Sequence, residues 1–269
     1  MFPAFEIFGR QIGLYGIMAV LGFAACFFVG SRLIRRFDID IYDFALTMIA
    51  AGIGMAVGAS ALYAATNYRV LLYGFSHFSE IGWDGLWRCI SAAFGGFVFY
   101  GGFIGAGVAI LIYTKFAKSV TPLRDRLLDI YAVLVPLFHT FGRIGCFLGG
   151  CCYGIESSFG FTVHGNAFNP SVNGVSRFPI QLVESGCNLL IFLVLLYFFY
   201  RGIMQSRLIY IYILIYSVVR FTDEFFRGDV HRGMLFGLST SQWISIALFL
   251  FALVMLPIKT KNSPYTKYH

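Results

Sequence analysis

A chain of 269 residues that is 58% hydrophobic and 12% charged, against roughly 25% charged in an ordinary soluble domain, and whose mean hydropathy is +0.76, carries too little polar surface to face water on all sides. That composition excludes a soluble globular domain, a disulfide-stapled secreted module, a disordered chain and a nucleic-acid binder, and leaves an integral membrane protein. Its net charge of +7 is loop charge, which reports orientation before it reports attraction for an anionic partner.

A bilayer core about 30 Å thick takes roughly 20 apolar helical residues. Seven stretches approach that length: 12–31, 44–66, 90–113, 127–150, 180–200, 208–221 and 242–257. The fold class expected is therefore an all-α integral membrane protein of seven transmembrane helices. The first stretch is too long for a signal-peptide core and lacks a basic start with a small-residue cleavage site, so it reads as a retained span. The sixth is short by about a turn unless it borrows residues from 221–226. Segments 151–179 and 222–240, rich in Gly, Ser, Asn and aromatics, read as a small cap on the outer face. With no internal repeat or low-complexity tract, residues 1–269 are expected to form a single polytopic membrane domain.

Seven spans divide the basic residues into two alternating sets. Arg32, Arg35, Arg36, Lys115, Lys118, Arg124, Arg126, Arg201, Arg207, Lys259, Lys261 and Lys267 fall together and mark the cytoplasmic side, which places the N terminus outside and the C terminus inside. The other set, Arg10, Arg69, Arg88, Arg143, Arg177, Arg220, Arg227 and Arg232, contains no lysine. A guanidinium fork binds phosphate bidentately where an ammonium is a point charge; anchoring to headgroups is the plain reading for Arg10, Arg69, Arg88 and Arg177.

The polar residues inside the spans carry the chemistry. Tyr15 stands near the outer end of the first span, where interfacial tyrosines are common. The third span runs Gly95-Gly96-Phe-Val-Phe-Tyr100-Gly101-Gly102-Phe-Ile-Gly105, too glycine-dense for a stable isolated helix, with Tyr100 as its central hydroxyl. In the fourth, Arg143 costs about 2.5–3.5 kcal/mol on insertion scales and so should face the bundle interior toward a partner or an anion. Gly142, Gly145 and Gly154 thin the chain around it, which lets a headgroup approach, although glycines in spans also serve helix packing. His139 lies four residues before Arg143, hence on the same face about 6 Å along the axis. Cys146, Cys151 and Cys152 form a C-x4-C-C cluster without the second ligand pair of a structural zinc site. No metal is expected there; a disulfide and simple burial as small apolar residues remain open. In the fifth span, Gln181 and Glu184 are three apart and share a face, and Glu184 needs a cation that Arg143 or Arg220 can supply. In the sixth, Arg220 and Glu224 are spaced to pair along one helix face.

These blocks resemble the prolipoprotein diacylglyceryl transferases, bacterial membrane enzymes that lipidate the cysteine of lipoprotein signal peptides. The resemblance covers roughly residues 12–250 and rests on Leu14-Tyr15-Gly16, the Gly95 to Gly105 run, Gly142-Arg143-Ile144-Gly145 with Gly154, Arg177-x-Pro-x-Gln181-x-x-Glu184, Arg220-Phe-x-x-Glu224-Phe-Phe-Arg227 and Gln242-Trp243. This chain departs from the pattern at Cys146, Gly149 and Cys151, which replace two asparagines and a glutamate, at Tyr100, which replaces a histidine, and at Ser60, which replaces an arginine. The resemblance implies a multi-pass protein of the bacterial cell (inner) membrane that moves the diacylglyceryl group of phosphatidylglycerol to the lipobox cysteine of prolipoproteins. Its partners would be phosphatidylglycerol, prolipoprotein signal peptides and membrane lipids, with no nucleic acid and no cofactor. Arg143 and Arg220 would handle the phosphate, together with Tyr15, Gly142, Gly145 and Gly154; Glu184, Glu224 and Gln181 would orient them. The reaction needs a thiolate, so Tyr100 and His139 are the candidates for handling its proton. The replaced residues also permit a diverged member with another acceptor or headgroup, and an arginine-lined cavity suits a lipid or anion transporter.

Overall fold

The computed structural model describes residues 4–7, 10–96, 98–164, 166, 170–228 and 234–261. Arg232 and Lys267 lie outside these, as do the side chains of Arg10, Lys259 and Lys261 and parts of both cap segments. The chain is mostly helical and divides into two compact units, Met1–Leu33 with Asp125–His269, and Ile34–Arg124. Among the described residues, five segments are long and apolar enough to cross a bilayer: Leu14–Phe37, Ile41–Thr66, Thr121–Gly149, Ile180–Arg201 and Thr240–Ile258.

The larger unit contains α1 (Leu14–Leu33), α6 (Arg124–Gly149), α7 (Ile180–Arg201), α8 (Leu208–Asp223) and α9 (Thr240–Lys261). Helix α8 is followed by a 3₁₀ turn at Glu224–Phe226. Helix α6 is the central element: Leu127, Asp129, Ile130, Val133, His139, Thr140 and Arg143 are all buried. A Cβ on Gly22 of α1 would press on the Phe141 side chain of α6, so a small residue sets the approach of these helices. The buried Asp129 carboxylate of α6 accepts hydrogen bonds from the backbone N–H groups of Ser206 (2.5 Å) and Leu208 (3.3 Å), satisfying donors at the start of α8 that have no intrahelical partner. Helix α9 opens with a reciprocal cap, in which the Ser239 N–H donates to Gln242 Oε1 (2.9 Å) and the Gln242 N–H donates to Ser239 Oγ (3.2 Å).

The two cap segments are joined through backbone. Strand β3 (Glu156–Thr162) pairs antiparallel with β4 (Ser176–Arg177), and Gly154 forms an antiparallel bridge with Arg227. The Ile155 N–H donates to the Phe226 carbonyl at 3.0 Å and the Gly228 N–H to the Tyr153 carbonyl at 3.0 Å. Gly154 sits where any Cβ would overlap the Phe178 carbonyl; this glycine is required by the close passage of three backbone segments. Two further hairpins belong to this unit, β1 (Ala4–Ile7) with β2 (Arg10–Gly13), and β5 (Met234–Leu235) with β6 (Leu238–Ser239).

The smaller unit contains α2 (Ile41–Thr66), α3 (Tyr68–Ser76), α4 (Phe78–Phe94) and α5 (Phe99–Phe116). A continuous third span over 90–113 is not what forms. The helix stops at Phe94, the chain leaves helical geometry around Gly95 and Gly96, and a new helix begins at Phe99. Successive glycines have too much backbone freedom to sustain a helix alone. The connection between the second and third stretches holds α3 and most of α4, whose Leu72, Phe75, Trp83 and Trp87 are exposed. Helices α2 and α5 meet backbone to backbone: Gly54 faces the Gly105 carbonyl, and Gly58 faces that of Gly101. The pairs Gly54/Gly58 and Gly101/Gly105 are each spaced four apart, the small-residue pattern of close helix crossings in lipid.

Replacing Gly58 with Leu should force α2 and α5 apart and cost about 1–3 kcal/mol. Thermal unfolding in detergent should show a clear fall in Tm, while Gly107→Ala, on the same helix as Gly101 with open space around it, should leave Tm within error of the parent.

Candidate active site

The polar residues of α6, α7 and α8 converge on one carboxylate. Glu184, 1% exposed, projects from the second turn of α7. Arg143 Nη2 of α6 lies 2.6 Å from Glu184 Oε2, and Tyr216 of α8 donates its hydroxyl to Glu184 Oε1 at 3.0 Å. His139 Nε2 approaches Oε1 at 3.6 Å, and its ring meets the Tyr216 ring edge-on with centroids 4.9 Å apart. The i, i+4 spacing of His139 and Arg143 thus brings both to the same partner. Of the two cations proposed for Glu184, Arg143 makes the direct contact.

Arg220 takes the pairing its spacing predicts, with Nη2 2.7 Å from Glu224 Oε2, and donates from the same atom to Ser241 Oγ at 3.0 Å. Arg143 and Arg220 are each 7% exposed. Arg143 Nε and Arg220 Nη1 are buried with no hydrogen-bond partner among the described residues, so each guanidinium keeps donor capacity beyond its carboxylate contact. Two buried guanidiniums held by carboxylates, each with an N–H to spare, form a setting that suits a phosphate.

The backbone around the carboxylate is tied as tightly as the side chain. Asn188 Nδ2 donates to the Glu184 carbonyl (2.9 Å), Ser185 Oγ donates to the Thr140 carbonyl of α6 (3.1 Å), and Gln181 Nε2 donates to the Cys151 carbonyl (2.9 Å). Gln181 and Glu184 share a buried face as expected, but Gln181 orients the end of α6, not an arginine. Tyr15 is 51% exposed and its ring edge lies against Gly145, where a Cβ would come 3.1 Å from Cδ2. Gly142 has open space at the Cβ position, whereas Gly154 is packed into the cap. Tyr100 is in the first turn of α5, within the smaller unit. Burial as small apolar groups holds for Cys146 but not for Cys151, which is exposed; all three cysteines of the cluster are free thiols.

Tyr216 and Ser241 are the participants that sequence reasoning missed. Tyr216 carried a signal, since it precedes Arg220 by four residues on α8 and therefore shares its face. Ser241 carried none, because it meets Arg220 only through the packing of α9 on α8.

The apolar helices and this buried arginine–carboxylate centre define a mostly helical, multi-pass membrane protein. Over residues 3–258 the sequence matches the family model of prolipoprotein diacylglyceryl transferases. Similar proteins include the phosphatidylglycerol–prolipoprotein diacylglyceryl transferase of Clostridium tetani, 32% identical with 94% of this chain and 96% of the relative covered. A second of that name in Clostridium perfringens is 32% identical (94% and 93%), and one in Campylobacter jejuni 31% (96% and 94%). The chain belongs to the prolipoprotein diacylglyceryl transferase family.

Glu184→Gln should leave Arg143 buried against a neutral amide and cost about 3–5 kcal/mol, while replacing both partners, Arg143→Met with Glu184→Leu, should recover most of that loss. Thermal unfolding of the single and double variants reads this out; a Glu184→Gln protein as stable as the parent contradicts it.

Proposed function

We propose that this chain transfers the diacylglyceryl group of phosphatidylglycerol to the lipobox cysteine of prolipoproteins, the first step of lipoprotein maturation, as a seven-span protein of the bacterial inner membrane. Family membership over nearly the whole chain supports the reaction. The observation that carries the assignment of residues is the pair of buried guanidiniums, Arg143 on Glu184 and Arg220 on Glu224, each with a buried N–H unused by the described residues. In this reading the five long spans are joined by α5 and by α8 with its 3₁₀ extension, the N terminus is outside, and the twelve basic residues of the cytoplasmic set fix the C terminus inside.

Chemically, the acceptor sulfur displaces glycerol phosphate from the glyceryl carbon, so negative charge builds on the departing phosphate. Preorganised cations in a water-poor site stabilise that charge without reorganising. Arg143 and Arg220 supply it, and their carboxylates fix the direction of each fork. Tyr15, beside Gly145, contacts the headgroup or the acceptor at the outer end of α1, and Gly142 leaves room for close approach. His139 assists removal of the acceptor proton, a role within ordinary reach of an imidazole beside a carboxylate.

Expression in a strain depleted of its own transferase should restore lipoprotein maturation. Growth failure with intact membrane expression would favour another acceptor, another headgroup or an anion path. In a lipoprotein gel-shift assay, Arg143→Gln and Arg220→Gln should each lower kcat by about 100- to 1,000-fold. His139→Gln should also slow turnover, and wild-type turnover in that variant ends its proposed role.

A further inference from the structure

The end of α6 gathers three thiols. Cys146 occupies the last turn, Gly150 turns the chain with φ +67°, and the Cys151 N–H donates back to the Cys146 carbonyl at 3.1 Å, a helix-ending reversal of the Schellman kind. This folds Cys151 over Cys146. Cys152 then takes a left-handed backbone, φ +54°, which is uncommon and costly for a side chain with a Cβ. As a result the Sγ atoms of Cys146, Cys151 and Cys152 all lie within 4.8 Å of one another. Gln181 of α7 holds this loop through the Cys151 carbonyl. Arg143 Nη1 stands 3.9 Å from Cys146 Sγ.

Tetrahedral zinc with Zn–S bonds of about 2.3 Å holds its sulfurs about 3.8 Å apart, so the three thiols need to close by no more than about 1 Å, within reach of a side-chain rotation. Three protein ligands with an open fourth position is the pattern of catalytic zinc. Three thiolates on a divalent ion leave one net negative charge, and the Arg143 guanidinium, already held by Glu184, stands beside it. The sequence spacing alone lacks a fourth ligand and so reads against a structural site; the cluster in space needs none.

Resting on the transferase reading above, we propose that Cys146, Cys151 and Cys152 bind a thiophilic divalent cation of the zinc class, whose open position takes the acceptor cysteine of the substrate as its thiolate. The acceptor S–H gives its proton to water as the sulfur binds the ion, and through water it reaches His139, about two turns back along α6. The sulfur lone pair then forms the S–C bond to the glyceryl carbon as the C–O bond to phosphate breaks, and that bond's electron pair leaves on the oxygen of glycerol phosphate. A coordinated thiol is deprotonated outright, while a free thiol of pKa near 8.5 is only about 3% ionised at pH 7. The metal thereby supplies the thiolate in a chain whose third-span position carries Tyr100.

The test uses the full chain with Cys26, Cys89 and Cys187 replaced by Ala, purified in detergent under reducing conditions and loaded with Zn²⁺ or Co²⁺. Elemental analysis should find one Zn²⁺ per chain, and Co²⁺ should give a sulfur-to-metal charge-transfer band in the near ultraviolet. Both should be lost in Cys146→Ser, Cys151→Ser and Cys152→Ser. Stripping with a chelator should slow transfer to a lipobox peptide about 30-fold at pH 7, with recovery on adding Zn²⁺. No metal bound, or binding unchanged in the serine variants, overturns the site. A stripped chain that transfers at full rate leaves the transferase reading standing and sinks the metal's role alone, whereas a chain inactive both stripped and loaded sinks that reading and the metal's role with it.

Discussion

A single carboxylate buried inside a membrane bundle constrains the larger unit. Glu184 is sealed from water, and an isolated ion there would cost several kcal/mol. It is retained because α6 supplies Arg143 and His139, α8 supplies the Tyr216 hydroxyl, and Asn188 and Ser185 fasten the helix that carries it. Each of these groups is useful only with the helices in this register. The carboxylate therefore specifies the packing of α6, α7 and α8 as much as the packing shelters the carboxylate. The same arrangement leaves the Arg143 guanidinium with a buried N–H that no described residue uses.

The two arginines are fixed by different means. Arg220 is set within its own helix end by Glu224, four residues on, and is trimmed by Ser241. Arg143 depends on a partner some forty positions away in sequence. A local pair of this kind is tolerant of helix movement, whereas the Arg143 contact breaks if α7 shifts by one residue. The cap extends the constraint, since the bridge between Gly154 and Arg227 ties the loop that follows α6 to the turn that follows α8, the elements bearing the two arginines.

Helix contact is achieved differently in the smaller unit. There α2 and α5 approach through facing glycines, and close packing with backbone contact replaces buried polar bonds. The glycine density that makes this approach possible also breaks the third apolar stretch into α4 and α5. A hydropathy window sees continuous apolarity over 90–113, while backbone entropy decides where the helix stops.

Composition, apolar run length and basic-residue asymmetry are local properties, and they determined that the chain is a helical membrane protein, roughly where its spans lie and which arginines are unusual. Spacing of three or four residues determined the pairs that share a helix, Arg220 with Glu224 and His139 with Arg143, because the 3.6-residue period fixes such geometry. What joins different helices was decided only by tertiary structure: that Glu184 takes Arg143, that Tyr216 and Ser241 complete the two sites, and that three cysteines in a C-x4-C-C run meet at their sulfurs. Those contacts depend on helix rotation, crossing and a left-handed turn at the end of α6, and none of these leaves a period in the sequence.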